Sequence, residues 1–193
     1  MNRLKGAIYI ALIGGLLLLI KWLIVDTFSH QEVKVEVRKE LEEVLIHWEV
    51  GHYTLPRIQM VKQETGSAGE KGRLVVGIGH DVSPEDHLLK LGDKISLGQV
   101  ANFFKHDVDI AFLGAYKLVN DFDSHPENVQ VVLAAMVFQL GYHGAKNFRN
   151  MIAAVNERNY ELAAREMQES RWAIQTARRC KAMQELMVAY EEK

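Results

Sequence analysis

The chain has 193 residues, with 23 Lys and Arg against 25 Asp and Glu and a single cysteine. That length suffices for one domain, or for two small lobes sharing a helix, around a core of ordinary size. A net charge of −2 gives no support to nucleic-acid binding, which needs a basic face, and one cysteine excludes an intramolecular disulfide and makes thiol catalysis a poor fit.

From Gly6 to Ile20 no charge interrupts an apolar run, which resumes after Lys21 as Trp22-Leu23-Ile24-Val25. A span of roughly 20 residues is what a helix needs to cross a bilayer core, and a lysine near its end can snorkel to the interface. Arg3 and Lys5 precede the run, whereas Asp26, His30 and Glu32 come after it, which predicts a cytoplasmic N-terminus with the rest of the chain outside. Asp26-Thr27-Phe28 stands where a small-x-small cleavage site would succeed Val25, so an uncleaved signal anchor is favoured over a cleaved signal peptide. The expected division is an anchor over residues 1–28 and a domain over 29–193.

Val33, Val37, Leu41, Val44, Leu45 and Trp48 recur at helical spacing, predicting an amphipathic helix over 30–48. Gly51 supplies its stop and leaves Glu49 in the last turn. After Pro56, Ile58 and Met60 alternate with Arg57 and Gln59, and Gly66, Gly69 and Gly72 punctuate the next stretch of chain. This reads as a small β-lobe with a loop at 64–72. Val76-Gly77-Ile78-Gly79-His80 then reads as a strand running into a tight glycine turn that ends on a histidine.

The remainder is helical in pattern. Ser96 can cap a helix reaching about Val119, with Val100, Phe103, Phe104, Val108 and Phe112 as its apolar stripe. Pro126 is placed to open the next, whose face includes Val129, Val132, Leu133, Met136 and Val137. Further helices are expected over 148–156, 160–169 and 180–191. The predicted class is α+β, a small sheet and then a helical lobe. His47, Glu49 and His52 stand at His-x-Glu-x-x-His, which is not the helical zinc spacing, so neither metal nor cofactor is expected.

From Glu49 onward the chain resembles the T-even phage lysozymes, glycoside hydrolase family 24. The matching pieces, in order, are Gly77-Ile78-Gly79-His80, Asp107-Val108-Asp109, Met136 to Gly141, Asn147-Phe148-Arg149-Asn150, and Ser170-Arg171-Trp172 with Gln175-Thr176 beyond it. The resemblance implies two lobes joined by the long helix at about 96–119, with a peptidoglycan cleft between them. It also implies cleavage between N-acetylmuramic acid and N-acetylglucosamine. On it, Glu49 matches the general acid, with Trp48, Ile46 and the sheet to bury it. Gly77 and Gly79 match the turn, His80 and Asp107 a structural pair, and Phe138 and Gln139 the cleft lining. Arg171 and Trp172 read as packing support.

Between acid and turn the family carries an Asp and then a Thr. Here that stretch is longer, the Thr position is Val75, and no Asp matches. Three readings are open. Glu64 and Thr65 take over the missing pair; or Glu49 acts alone in a lytic transglycosylase that forms anhydro ends; or the fold persists as a wall-binding module with little turnover. The expected partners are peptidoglycan and, through residues 6–25, the bacterial inner membrane, with the domain in the periplasm and a holin as a candidate partner in timing. Gly6, Ala7, Ala11, Gly14 and Gly15 would ease release of the anchor on depolarisation, and the run from Leu16 to Ile20 opposes it. Because the domain is mildly acidic, a tether replaces electrostatic steering towards an anionic wall.

Overall fold

The computed structural model describes residues 34–50, 59–63, 73–82 and 89–189. The chain divides into a unit of residues 1–38 and a unit of residues 39–193, and the second holds the end of the first helix, the sheet and all later helices. The expected anchor lies outside the described residues, as do Gly51 to Ile58 and the loop with Glu64 and Thr65. Among the described residues no helix is long and apolar enough to cross a membrane.

Residues 34–49 are helical (α1) and Val50 begins the turn that ends them. Leu41 and Leu45 stand one turn apart and are fully buried, which is the face the periodicity predicts. Glu49 is the last helical residue, and the amide of Val50 closes the helix on the carbonyl of Ile46.

Three short strands come next: β1 at Lys62–Gln63, β2 at Leu74–Val76 and β3 at His80–Asp81. They form an antiparallel sheet in that order. Lys62 faces Val75 across the first pairing, and Val75 faces Asp81 across the second. Of the strand expected around Ile58 and Met60, Ile58 lies outside the described residues and Met60 is not part of a strand. Met60 makes a single bridge to Lys94, and the backbone on both sides of it bonds to residues 92–95. Val61, next in the chain, departs from the expected alternation because it is drawn inward, 1% exposed, beside Val76, Ile95 and Val100. Between β2 and β3 the chain reverses at residues 77–79, where Gly77 and Gly79 have φ of +65° and +76°. Side chains resist that left-handed region and glycine does not.

Ser96 caps helix α2, Leu97–Tyr116, through a reciprocal box: its hydroxyl accepts from the Gln99 amide, and the Gln99 side chain accepts from the Ser96 amide. The helix ends before the expected Val119. The amides of Lys117 and Leu118 bond three residues back, and Leu118 and Val119 turn into the core. A 3-10 turn at Phe122–Ser124 leads to α3, Glu127–Ala145, with Pro126 at its start. Residues 131 to 137 of α3 are all buried, so this helix is enclosed on every side over two turns. Gly114 lets α2 approach it: a Cβ there would lie 2.5 Å from Cγ1 of Val137.

Four helices complete the unit: α4 Arg149–Asn156, α5 Tyr160–Gln168, α6 Arg171–Gln175 and α7 Ala177–Val188. The last begins three residues before the expected Cys180, and the short α6 is an addition to the predicted set. Met151 and Val155, Ala163 and Met167, Cys180 and Met187 turn inward from α4, α5 and α7. The described residues thus make a mostly helical α+β unit with a small sheet.

Candidate active site

The end of α1 and the start of α7 meet at Glu49. Its Oε1 accepts a hydrogen bond from Nη1 of Arg179 at 2.8 Å, and the two side chains are only 21% and 15% exposed. Arg179 is itself held over the ring of Trp48, 5.4 Å from the centroid, so the guanidinium is sandwiched between a carboxylate and an aromatic face. The other oxygen, Oε2, lies against the turn: a Cβ on Gly79 would come within 3.1 Å of it. Glu49 is thus gripped by a cation on one oxygen and by bare backbone on the other. Ile46, expected to help bury it, is 44% exposed and does not line the cavity, and Trp48, Arg179 and the Gly79 turn provide the shelter.

Beneath the turn, Nδ1 of His80 lies 2.9 Å from Oδ2 of Asp107. A carboxylate only accepts, so Nδ1 carries the proton. The imidazole stacks flat on Phe103, centroids 4.2 Å apart and planes 5° from parallel. These contacts fasten β3 to α2 and so set the height of the glycine turn over Glu49. Gly77 meets α2 as well, its Cβ position 3.3 Å from Val100.

Glu49 and Gly79 open onto a cavity of about 920 Å³, whose lining includes Trp48, Asp81, Phe138, Gln139 and Trp172. Phe138 packs edge to face against Phe104, and Oε1 of Gln139 accepts from Nε1 of Trp172 at 2.9 Å. Trp172 is therefore a support for a lining residue as well as a buried packing group. A second cavity of about 780 Å³ shares Leu140, Trp172 and Gln175 with the first and extends past Asn150, which donates to Glu166 at 2.9 Å. The two cavities therefore adjoin at these shared residues.

Of the residues picked out in the sequence, Glu49, Gly79, Asp107, Phe138 and Gln139 border this cavity, and His80 lies directly behind it. Arg171 borders the second cavity. Glu64 and Thr65 lie outside the described residues. Val75 is buried in the sheet and is not one of the described residues lining the cavity. Among the described residues no group of three or more His, Cys, Asp or Glu is placed to hold a metal. Cys180 is buried in α7 beside the carbonyl of Met167, and burial pushes its thiol above the usual range, which removes it from chemistry.

Arg179, Arg73 and Asp81 are among the lining residues that escape the sequence reading. Arg179 is separated from Glu49 by 130 positions, and no local pattern announces such a pairing. Arg73 and Asp81 form an exposed ion pair at 3.0 Å on the rim. Asp81 had a signal: a strand alternates, so a histidine turned inward at position 80 puts position 81 on the opposite face.

No family model matches the chain. It is 30% identical over 107 residues to the peptidoglycan hydrolase gp36 of Pseudomonas phage phiKMV, a match covering 55% of this chain and 12% of that protein. It is also 26% identical to the probable T4-type lysozyme 2 of Dictyostelium discoideum, over 62% of this chain and 86% of that protein. The chain thus spans a small part of the first relative and most of the second. Both matches support a lysozyme-like family.

Proposed function

We propose that this chain is a lysozyme-type glycoside hydrolase that cuts the glycan strands of bacterial peptidoglycan between N-acetylmuramic acid and N-acetylglucosamine, with Glu49 as general acid. The observation that carries the reading is the grip on Glu49, with Oε1 on Arg179 and Oε2 at the Gly79 turn on the wall of a cavity. A group that protonates a glycosidic oxygen must be held within hydrogen-bond reach of it. Phe138 and Gln139 offer an apolar edge and an amide to a sugar on the same wall. The shared border of the two cavities leaves room for a polymer, and the names of the two relatives point to the same substrate. His80 and Asp107 act as supports that hold the turn. In this reading residues 1–28 anchor the domain of residues 29–193 on the periplasmic side of the inner membrane.

The test is digestion of purified peptidoglycan by the full chain, with Glu49→Gln as the control and mass spectrometry of the products. New reducing ends are expected, falling by about 100- to 10,000-fold in Glu49→Gln. Intact glycan with the folded wild-type chain overturns the proposal. Anhydro ends would instead reassign the reaction to a transglycosylase that works without a water-activating base.

A further inference from the structure

Hydrolysis by a general acid needs a second group to activate water, and no aspartate stands between Glu49 and the glycine turn. We propose that Asp81 is that group, the general base for water. The inference rests on the hydrolase reading of the site.

Asp81 borders the same cavity as Glu49. It lies two residues beyond Gly79, whose Cβ position is 3.1 Å from Oε2 of Glu49. Two residues of chain span at most about 7 Å, so Asp81 stands close along the chain to the turn that Glu49 meets, and both border the one cavity. The register sets its sheet face. Asp81 stands directly across from Val75, and Val75 across from Lys62, so these three side chains share one sheet face, and Asp81 supplies its carboxylate. His80 occupies the opposite face and is committed to Asp107. Arg73 completes the arrangement: its Nη1 holds Oδ2 of Asp81 at 3.0 Å. A carboxylate has two oxygens with several acceptor sites, so one oxygen on Arg73 leaves the other to receive a proton. The Asp81 side chain is 51% exposed, which gives water direct access.

The step balances without a co-reactant. The Glu49 carboxylic acid gives its proton to the glycosidic oxygen, and the C1–O bond breaks with its electron pair passing to that oxygen. Water forms the new bond to C1 from the opposite face while Asp81 takes one of its protons. Glu49 ends as carboxylate, Asp81 as carboxylic acid, and proton exchange with solvent restores both. An inverting arrangement of this kind separates its carboxyl groups by roughly 6.5 to 9.5 Å to admit the water.

The experiment compares Asp81→Asn, Glu64→Gln and Glu49→Gln in the full chain, on purified peptidoglycan, with a thermal melt for each. Losing an exposed ion pair costs little stability, so Asp81→Asn is expected to melt with the wild type. Its turnover is expected to fall by about 100- to 10,000-fold with KM little changed. In Asp81→Ala, sodium azide is expected to restore cleavage and yield a glycosyl azide of inverted configuration, since an anionic nucleophile needs no base. A role in folding alone would not produce that rescue. Asp81→Asn within about threefold of wild type, while Glu49→Gln is inactive, overturns Asp81 as base and leaves the hydrolase reading intact. Loss confined to Glu64→Gln overturns it in favour of Glu64. A wild-type chain that releases no reducing ends overturns both readings together.

Discussion

At Gly79 two constraints coincide: φ is +76°, and the space a Cβ would fill is taken by Oε2 of Glu49. Alanine there must strain the backbone or push the carboxylate aside. Gly79→Ala is expected to lower stability by about 1 kcal/mol or more and turnover on peptidoglycan by up to about 100-fold, since small displacements of a reacting group are costly. Thermal melts and a wall-clearing assay check both, and an unimpaired variant would mean that the turn does not hold the acid in place. The glycine was readable in the sequence because φ above zero is a local demand that selects the residue. Arg179 was not readable, because its reason for being there is a carboxylate 130 positions away. Asp81 lies between these cases. Strand alternation sets its face, but only the cavity gives that face a use.

Among the elements, the junction between α2 and α3 carries a buried titratable device. His125 is 5% exposed; its Nε2 meets the carbonyl of Asn120 and its Nδ1 the hydroxyl of Tyr160, each at 3.0 Å. A carbonyl only accepts, so Nε2 donates and Nδ1 of the neutral ring accepts from Tyr160. Burial lowers the His125 pKa below 6.5, and Arg158 adds to this, against the opposing pull of the Asn120 carbonyl and Asp121. A histidine with a lowered folded pKa contributes stability that is complete above its unfolded value and is lost as pH falls through the folded one. Each unit of lowering is worth about 1.4 kcal/mol. Chemical denaturation at pH 7 and pH 5 is expected to show a larger acid loss in the wild type than in His125→Gln; equal losses would remove His125 from the pH dependence. The helices themselves were legible where one face is apolar, as in α1 and α2. The strand near Met60 was misplaced because segment 92–95, distant in sequence, competes for its backbone bonds.

For the whole molecule, the decisive matter is where the chain resides. Residues 6–25 have the length and apolarity of a bilayer span, and they lie outside the described residues. Full-length chain expressed in bacteria is expected to pellet with membranes and to resist extraction by high salt, with the domain accessible to protease only from the periplasm. Recovery in the soluble fraction would remove the anchor from the proposal. Release after depolarisation would instead keep the apolar segment and change its role from permanent tether to timed one.

The sequence by itself determined features that are local in origin: the helical stripes, the Ser96 cap, the glycine turn and the place of Glu49 in the last turn of α1. Each arises from steric and periodic rules acting over a few residues. The tertiary structure alone decided that Glu49 is held between Arg179 and Gly79, that Asp81 shares its cavity, and that Trp172 supports Gln139. These meetings join segments far apart in the chain, and the packing of helices and sheet brings them together.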